Sequence, residues 1–308
     1  MRIITLTLSP CFDVHCYAEE LGLGRENIVR TQSSDLGGKG INISRALAEN
    51  GIHSIAVVAA GRQGGAELRS ALDYMGVEYR AIEVGGRVRN NITIHTSCGE
   101  ESRISFDDVL ENGDELLQGV SEALSELCEG ECILAVAGSV PKGVDMDALC
   151  DILTDFRESG VRLVIDSRSF GINHFVRLRP WLVKPNEQEI CAYVERKVSS
   201  KDDAVLAARE LKSLGIENVM VTLGGKGAVL CCEEGEYFAA CPSVEVRSTI
   251  GAGDSTIAGF LASVLRGFSK KRALELAVCY GSAACMREGT TPPRSEDIDA
   301  LLKAFDNA

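Results

Sequence analysis

Apolar residues recur along this chain in two alternating patterns. Short unbroken runs (Ile3 to Leu8, Ser54 to Ala59, Cys132 to Ala137, Val161 to Ile165 and Val219 to Leu223) have the length of buried strands. Between them lie longer stretches with apolar positions at helical spacing: Lys39 to Asn50, Ala66 to Met75, Met146 to Glu158, Asp202 to Leu214 and Asp254 to Arg266. In the first of these Ile41, Ile43, Ala46 and Leu47 fill the apolar positions, and Gly51 and Gly76 supply stops for the first two. A repeated strand-then-helix order predicts an α/β fold with a mainly parallel sheet covered by helices on both faces.

Two stretches break this rhythm. Asp13 to Asp35 and Asn91 to Phe106 carry brief alternating runs, such as Asn91-Ile92-Thr93-Ile94-His95-Thr96. They lie too close to helices and to each other to be strands of the sheet core. The expectation is a small β-flap built from two insertions, roughly residues 13–35 and 87–106. No repeat, low-complexity tract or linker divides the chain, so residues 1–308 are expected to form one domain.

Composition narrows the class. With 308 residues the chain can bury a sizeable core. A net charge of -13 gives it no overall footprint for nucleic acid or an anionic membrane, while leaving room for a locally positive pocket. The 12 cysteines are scattered and never spaced Cys-x-x-Cys, so they read as reduced thiols acting as small hydrophobes. No apolar stretch approaches the roughly 18 residues of a membrane span. Met1 to Leu8 has neither the basic start nor the cleavage site of a secretory leader, so a cytoplasmic protein is expected.

The most informative segment is Arg247-Ser248-Thr249-Ile250-Gly251-Ala252-Gly253-Asp254-Ser255-Thr256-Ile257-Ala258-Gly259-Phe260. It enters a helix through a glycine-rich turn, whose backbone N–H groups can converge on an anion at the helix N-terminus. Asp254 beside that anion could take a proton from an attacking hydroxyl. It could equally be a plain N-cap above a tight turn. A dinucleotide-binding oxidoreductase is disfavoured, because the first strand runs into Ser9-Pro10-Cys11 and no Gly-x-Gly-x-x-Gly turn follows.

Two motifs together resemble a known family. Gly251-Ala252-Gly253-Asp254 with Ala258-Gly259-Phe260, and Gly37-Gly38-Lys39-Gly40-Ile41-Asn42 opening the helix with Arg45 and Ala46, resemble the signatures of the PfkB/ribokinase carbohydrate kinases. The resemblance spans nearly the whole chain. It implies a ribokinase-like three-layer sandwich, ATP and Mg2+, Asp254 as general base, and Gly251, Ala252 and Gly253 as the anion hole for the transferring phosphoryl group. Dimerisation through the flap is common among such relatives, so a homodimer is expected.

Further positions take roles from the same resemblance. Lys184-Pro185-Asn186-Glu187-Gln188-Glu189 holds an Asn-x-x-Glu pattern that is a capping box on its own terms. In the family its glutamate, here Glu189, organises magnesium, with Lys184 and Asn186 on the nucleotide side. Thr222, Gly224 and Gly227 fall in a strand-ending turn, and Gly281 and Ser282 in a small-residue helix patch. The turn and the patch are equally readable as a hairpin and close helix packing; in relatives both border ATP. On the acceptor side Asp13 is expected to hold sugar hydroxyls, near Gly38, Asn42 and Ser139 of Gly138-Ser139-Val140-Pro141-Lys142-Gly143.

The subgroup approached most nearly is the phosphosugar kinases of the 1-phosphofructokinase and tagatose-6-phosphate kinase type. Lys39, Arg89 and Asn91 match the groups that hold the acceptor's existing phosphate, chemistry that calls for charge-assisted donors. Ser9 stands where the subgroup has asparagine, Thr93 where it has lysine, and Ser105-Phe106-Asp107-Asp108-Val109 where it has an Asn-x-x-Gly loop. Asp107 and Asp108 facing the acceptor would repel a phosphate. A kinase of an unphosphorylated sugar or nucleoside, and a non-catalytic sugar-binding relative, remain the alternatives.

Overall fold

The computed structural model describes residues 1–106 and 111–306. Asp107 and Asp108 therefore lie outside the described residues.

The chain runs β1 (Arg2–Thr7), β2 (Cys11–Ala18), β3 (Arg30–Gly37), α1 (Lys39–Glu49), β4 (Ile55–Gln63), α2 (Gly65–Tyr74) and β5 (Glu78–Arg87). It continues through β6 (Arg89–Thr96), β7 (Glu101–Ser105), α3 (Gly113–Leu127), β8 (Cys132–Ala137), α4 (Met146–Glu158), β9 (Arg162–Asp166) and α5 (Ile172–Leu178). The last stretch holds β10 (Leu182–Val183), α6 (Glu187–Tyr193), α7 (Lys201–Ser213), β11 (Asn218–Thr222), β12 (Ala228–Cys232), β13 (Gly235–Ala239), α8 (Ala252–Leu265), α9 (Lys270–Cys285) and α10 (Ser295–Asp306).

Nine strands form the large sheet in the order β13-β12-β11-β10-β9-β8-β1-β4-β5. Its pairings are parallel except β11 with β12 and β12 with β13. The unbroken apolar runs follow from burial on both faces. In β8, Leu134 and Val136 join the core under α3, α4 and α7, where Leu116, Leu149 and Leu211 pack. Ile133 and Ala135, one residue out of step, join the opposite core with Leu47 of α1, Phe260 of α8 and Leu274 of α9. The result is the expected three-layer sandwich.

α8 is buried on every side from Asp254 to Ser263. Gly259 makes this possible, because a Cβ there would lie 2.8–2.9 Å from Tyr280 and from the backbone of α9. The helix that carries Asp254 is thus clamped along its length.

A second sheet of four strands, β3-β2-β6-β7, stands apart from the first. β2 pairs antiparallel with β3 and parallel with β6, and β6 pairs antiparallel with β7. Alternation along the strands separates its faces. Cys16, Ala18 and Ile94 cluster with Val14 and Ile92 on one; Asp13, Asn91 and Arg103 meet on the other. Against the runs 13–35 and 87–106 read from the sequence, β2 begins two residues earlier, at Cys11, and β3 ends two residues later, at Gly37, while β6 and β7 lie within the second run. The twelve cysteines are free thiols. No helix among the described residues is long and apolar enough to cross a membrane.

Candidate active site

The parallel strands end on one side of the large sheet, where connecting loops and helix N-termini leave a cleft. A cavity of about 1130 Å³ opens there, and every site residue expected from the sequence lines it. Its centre is the N-terminus of α8. Gly251, at φ 77°, is the N-cap, a left-handed conformation that suits glycine, and the helix begins at Ala252. Asp254 is therefore the third residue of the helix, inside its first turn, and the reading of it as an N-cap does not hold.

Asp254 is buried and accepts a 2.8 Å hydrogen bond at Oδ2 from Nδ2 of Asn42 in the first turn of α1. Two helix N-termini, α1 behind Gly38 and α8 behind Gly251, thus meet at one carboxylate. Burial, with the charge of Asp166 adding to it, pushes the Asp254 carboxyl up to about 6. Lys39, the Asn42 hydrogen bond and Lys184 oppose that rise.

Asp166, at the end of β9, escapes the motif reading and organises the centre of the site. Lys39 Nζ lies 3.1 Å and Lys184 Nζ 3.5 Å from its Oδ1. Burial pushes Asp166 up, but the two ammonium groups more than offset this and hold it below the usual carboxylate range. Burial works against the charged form of Lys39, and Asp166 and Asp254 overcome it, holding Lys39 above its ordinary value. Lys184 also approaches the glycine turn, since a Cβ on Gly253 would lie 3.2 Å from its Nζ. Lys39 is thus paired at the centre of the site, beside Lys184, and not with the flap.

The small sheet supplies the end wall. Asn91 donates 3.0 Å to Asp13 Oδ1, which also pairs with Arg103 at 2.9 Å. Arg89 donates to Asn91 Oδ1 at 3.4 Å. Arg103 escapes the sequence reading because its place depends on the register of β7 against β6, which sets it opposite Thr93. Ser139 lines the cavity beside Gly138, whose N–H bonds the carbonyl of Asp166.

At the other end Thr222 closes β11, and the turn after it carries Gly224 and Gly227. Gly227 is tightly packed, since a Cβ would meet the Ala239 carbonyl oxygen. Gly281 lets α9 touch α8, as a Cβ there would lie 2.5 Å from Thr256 Oγ1 and 3.2 Å from the Ala252 carbonyl. Ser282 bonds Val278 O at 2.8 Å and meets Cys241 Sγ at 3.2 Å.

Asn186 and Glu189 form the capping box of α6, with Glu189 Oε2 accepting from Asn186 N at 3.0 Å. Arg168, also unmarked by the sequence motifs, holds Glu189 Oε1 at 2.9 Å. Among the described residues no group of three or more His, Cys, Asp or Glu side chains is arranged to hold a metal. Oxygen donors are nonetheless at hand in Glu189 and in the buried Asp166 Oδ2, which has no hydrogen-bond partner. Such a sparse oxygen set fits Mg2+, which keeps several waters and binds through one or two carboxylates plus phosphates.

Comparison with known proteins identifies the family. The family model described as pfkB family carbohydrate kinase matches residues 7–297. The 1-phosphofructokinase of Haemophilus influenzae is 31% identical over 302 residues, 98% of this chain and 96% of that protein. The ATP-dependent 6-phosphofructokinase isozyme 2 of Escherichia coli is also 31% identical, over 304 residues and 98% of both chains. The crystal structure of phosphofructokinase-2 from Escherichia coli in complex with fructose-6-phosphate superposes with a TM-score of 0.88 at 28% identity, covering 99% of each chain. This chain belongs to the pfkB family of carbohydrate kinases and is an ATP-dependent sugar kinase.

Proposed function

We propose that the enzyme transfers the γ-phosphoryl group of ATP to a hydroxyl of a phosphosugar of the fructose 1-phosphate or tagatose 6-phosphate type, with Asp254 as general base. The observation that carries this is the distribution of charge along one cavity. A buried carboxylate at a helix N-terminus stands at its centre, two lysines beside it, and two arginines at the end wall. A phosphosugar brings to that end wall the dianion that clustered guanidinium donors complement, which a neutral sugar does not.

Asp254 accepts the proton of the attacking hydroxyl, whose oxygen forms the new bond to phosphorus as the bond to ADP breaks. A carboxyl titrating near 6 is ionised at neutral pH yet basic enough to take that proton. Asn42 fixes its orientation. The first-turn N–H groups beyond Gly251 meet the oxygens of the transferring group, where the helix terminus favours negative charge. Lys184 compensates charge at the glycine turn, and Lys39 does so from the acceptor side, both held on Asp166. Most of the catalysis is then positioning and charge stabilisation, as phosphoryl transfer requires.

Arg89 and Asn91 grip the acceptor's phosphate, Arg103 adds a donor, and Asp13 holds sugar hydroxyls with Gly38 and Ser139 near by. Thr222, Gly224, Gly227, Gly281, Ser282 and Asn186 border the nucleotide. Glu189, through water, and Asp166 are the residues that would hold Mg2+, which when bound neutralises phosphate charge. The small sheet acts as a lid that excludes water from the acceptor. A homodimer through this sheet belongs to the same reading, and sedimentation tests it.

The deciding experiment is ADP release with ATP and magnesium against fructose 1-phosphate, fructose 6-phosphate, tagatose 6-phosphate, free hexoses, ribose and nucleosides. Turnover confined to one of the phosphosugars is expected. Turnover confined to a neutral acceptor overturns the phosphate grip while keeping Asp254.

A further inference from the structure

The segment joining α9 to α10 walls two cavities. Thr290 lines the catalytic one, while Arg287, Thr291 and Arg294 line a second cleft of about 400 Å³. The other side of this cleft is made by Arg45 and Glu49 of α1 and by Tyr74 and Met75 at the end of α2. Three guanidinium groups therefore face one carboxylate, on a protein whose net charge is -13.

Two of those guanidinium groups touch no carboxylate among the described residues. Among the described residues, neither Arg45 nor Arg287 has an ion-pair partner within 4.0 Å, and Arg294 pairs only with Glu296, at 3.3 Å on the surface. The Nε of Arg287 is buried without a hydrogen-bond partner. Arg45 donates only to the neutral Thr290 Oγ1, at 3.3 Å. Burial lowers the affinity of Arg45 for its proton, and the charges of Asp35 and Glu49 do not restore it. Cations withdrawn from water with too little counter-charge are costly, and an anion in the cleft relieves that cost.

We propose that this cleft is a second ligand site, for a small phosphate-bearing anion of which inorganic phosphate is the simplest member. A dianion matches an excess of cationic donors, and guanidinium groups match phosphate oxygens in geometry. The exposed ring of Tyr74, with Met75, offers an apolar shoulder for an organic part of the ligand.

The site reports to catalysis through Thr290. Arg45 holds its hydroxyl, and its Cα lies 3.9 Å from where a Cβ on Gly251 would stand. Gly251 is the N-cap of α8, where the proposed function puts the anion hole. An anion that recruits Arg45 releases Thr290 from it, and so alters the packing behind the glycine turn.

Calorimetric titration with inorganic phosphate tests the site, using wild type, Arg287→Gln, Arg294→Gln and Arg89→Ala. Arg89→Ala should keep the cleft's binding, whereas Arg287→Gln and Arg294→Gln should each weaken it by about tenfold or more. Wild-type affinity in both cleft variants, or loss of all binding in Arg89→Ala, overturns the site. Citrate competing as well as phosphate overturns the choice of ligand class. For the coupling, turnover at saturating substrates should change with added phosphate in wild type and stay constant in Arg287→Gln. An identical response in the two overturns it.

Discussion

Replacing Asn42 by alanine removes the 2.8 Å hydrogen bond to Asp254 Oδ2 while leaving the carboxylate itself in place. A hydrogen bond to a charged group contributes about 1.5–3 kcal/mol. Each 1.36 kcal/mol of that, lost from the ionised form only, is one unit of pKa. The Asp254 carboxyl, already pushed up to about 6, should therefore rise by roughly one to two further units. At pH 7 its ionised fraction would fall from about nine-tenths to between about one-half and one-tenth. The assay is kcat/KM for ADP release from pH 5.5 to 9, with the best acceptor and saturating magnesium. In wild type the rate should drop on acidification with a midpoint near 6, as the base becomes protonated. In Asn42→Ala that limb should move to higher pH, with activity recovering on the alkaline side. A limb that stays at its wild-type position, with the rate reduced equally at every pH, would refute the reasoning and leave Asn42 a substrate-positioning residue.

Asp254→Asn should bind ATP with near-native affinity and lose about 10²–10⁴ in kcat, the usual contribution of a general base; wild-type kcat would remove the assignment. The same variant should gain stability over wild type as pH rises from about 4 to 6. In that window the native carboxyl still holds its proton and the unfolded one has lost it, so wild-type folding weakens by up to about 3 kcal/mol, which thermal unfolding measures. Arg89→Ala should raise KM for a phosphosugar about tenfold or more and leave KM for ATP nearly unchanged, by steady-state kinetics. Gly281→Ala pushes a Cβ to 2.5 Å from Thr256 Oγ1. It should cost about 1–3 kcal/mol in thermal stability and lower kcat by disturbing the first turn of α8; an unchanged Tm and kcat would show that the contact relaxes freely.

Much of this architecture is legible in the chain because burial on both sheet faces writes itself as unbroken apolar runs, and β8 is found where that run lies. Helix ends shift by a residue or two, as cap geometry and not periodicity decides them. The clearest instance is α8, which begins at Ala252 instead of Asp254, a difference that changes the chemistry open to the aspartate. Edge elements are less visible: β5 is half polar, and α3 follows the broken stretch of the second insertion. Glycine motifs locate the two helix termini, since the backbone there needs residues without side chains. Asp166 is different in kind. One carboxylate after an ordinary strand has no local signature, and its importance arises because Lys39 and Lys184 converge on it from distant parts of the chain. Arg103 is hidden for the same reason, as strand register, and not sequence spacing, brings it to Asp13.

The small sheet enters the chain twice, as β2–β3 and as β6–β7, while Asp254, the glycine turn and the Asp166 cluster stand on the large sandwich. In the proposed reading, the grip on the acceptor's phosphate and the transfer of the new one are thereby written largely in separate stretches of the gene. Substitutions in two short hairpins can change which sugar is gripped without moving the clamped helix beneath it. Exchanging those hairpins between relatives would transplant acceptor preference as a unit, and a lineage could diversify its diet while inheriting one unaltered catalytic floor.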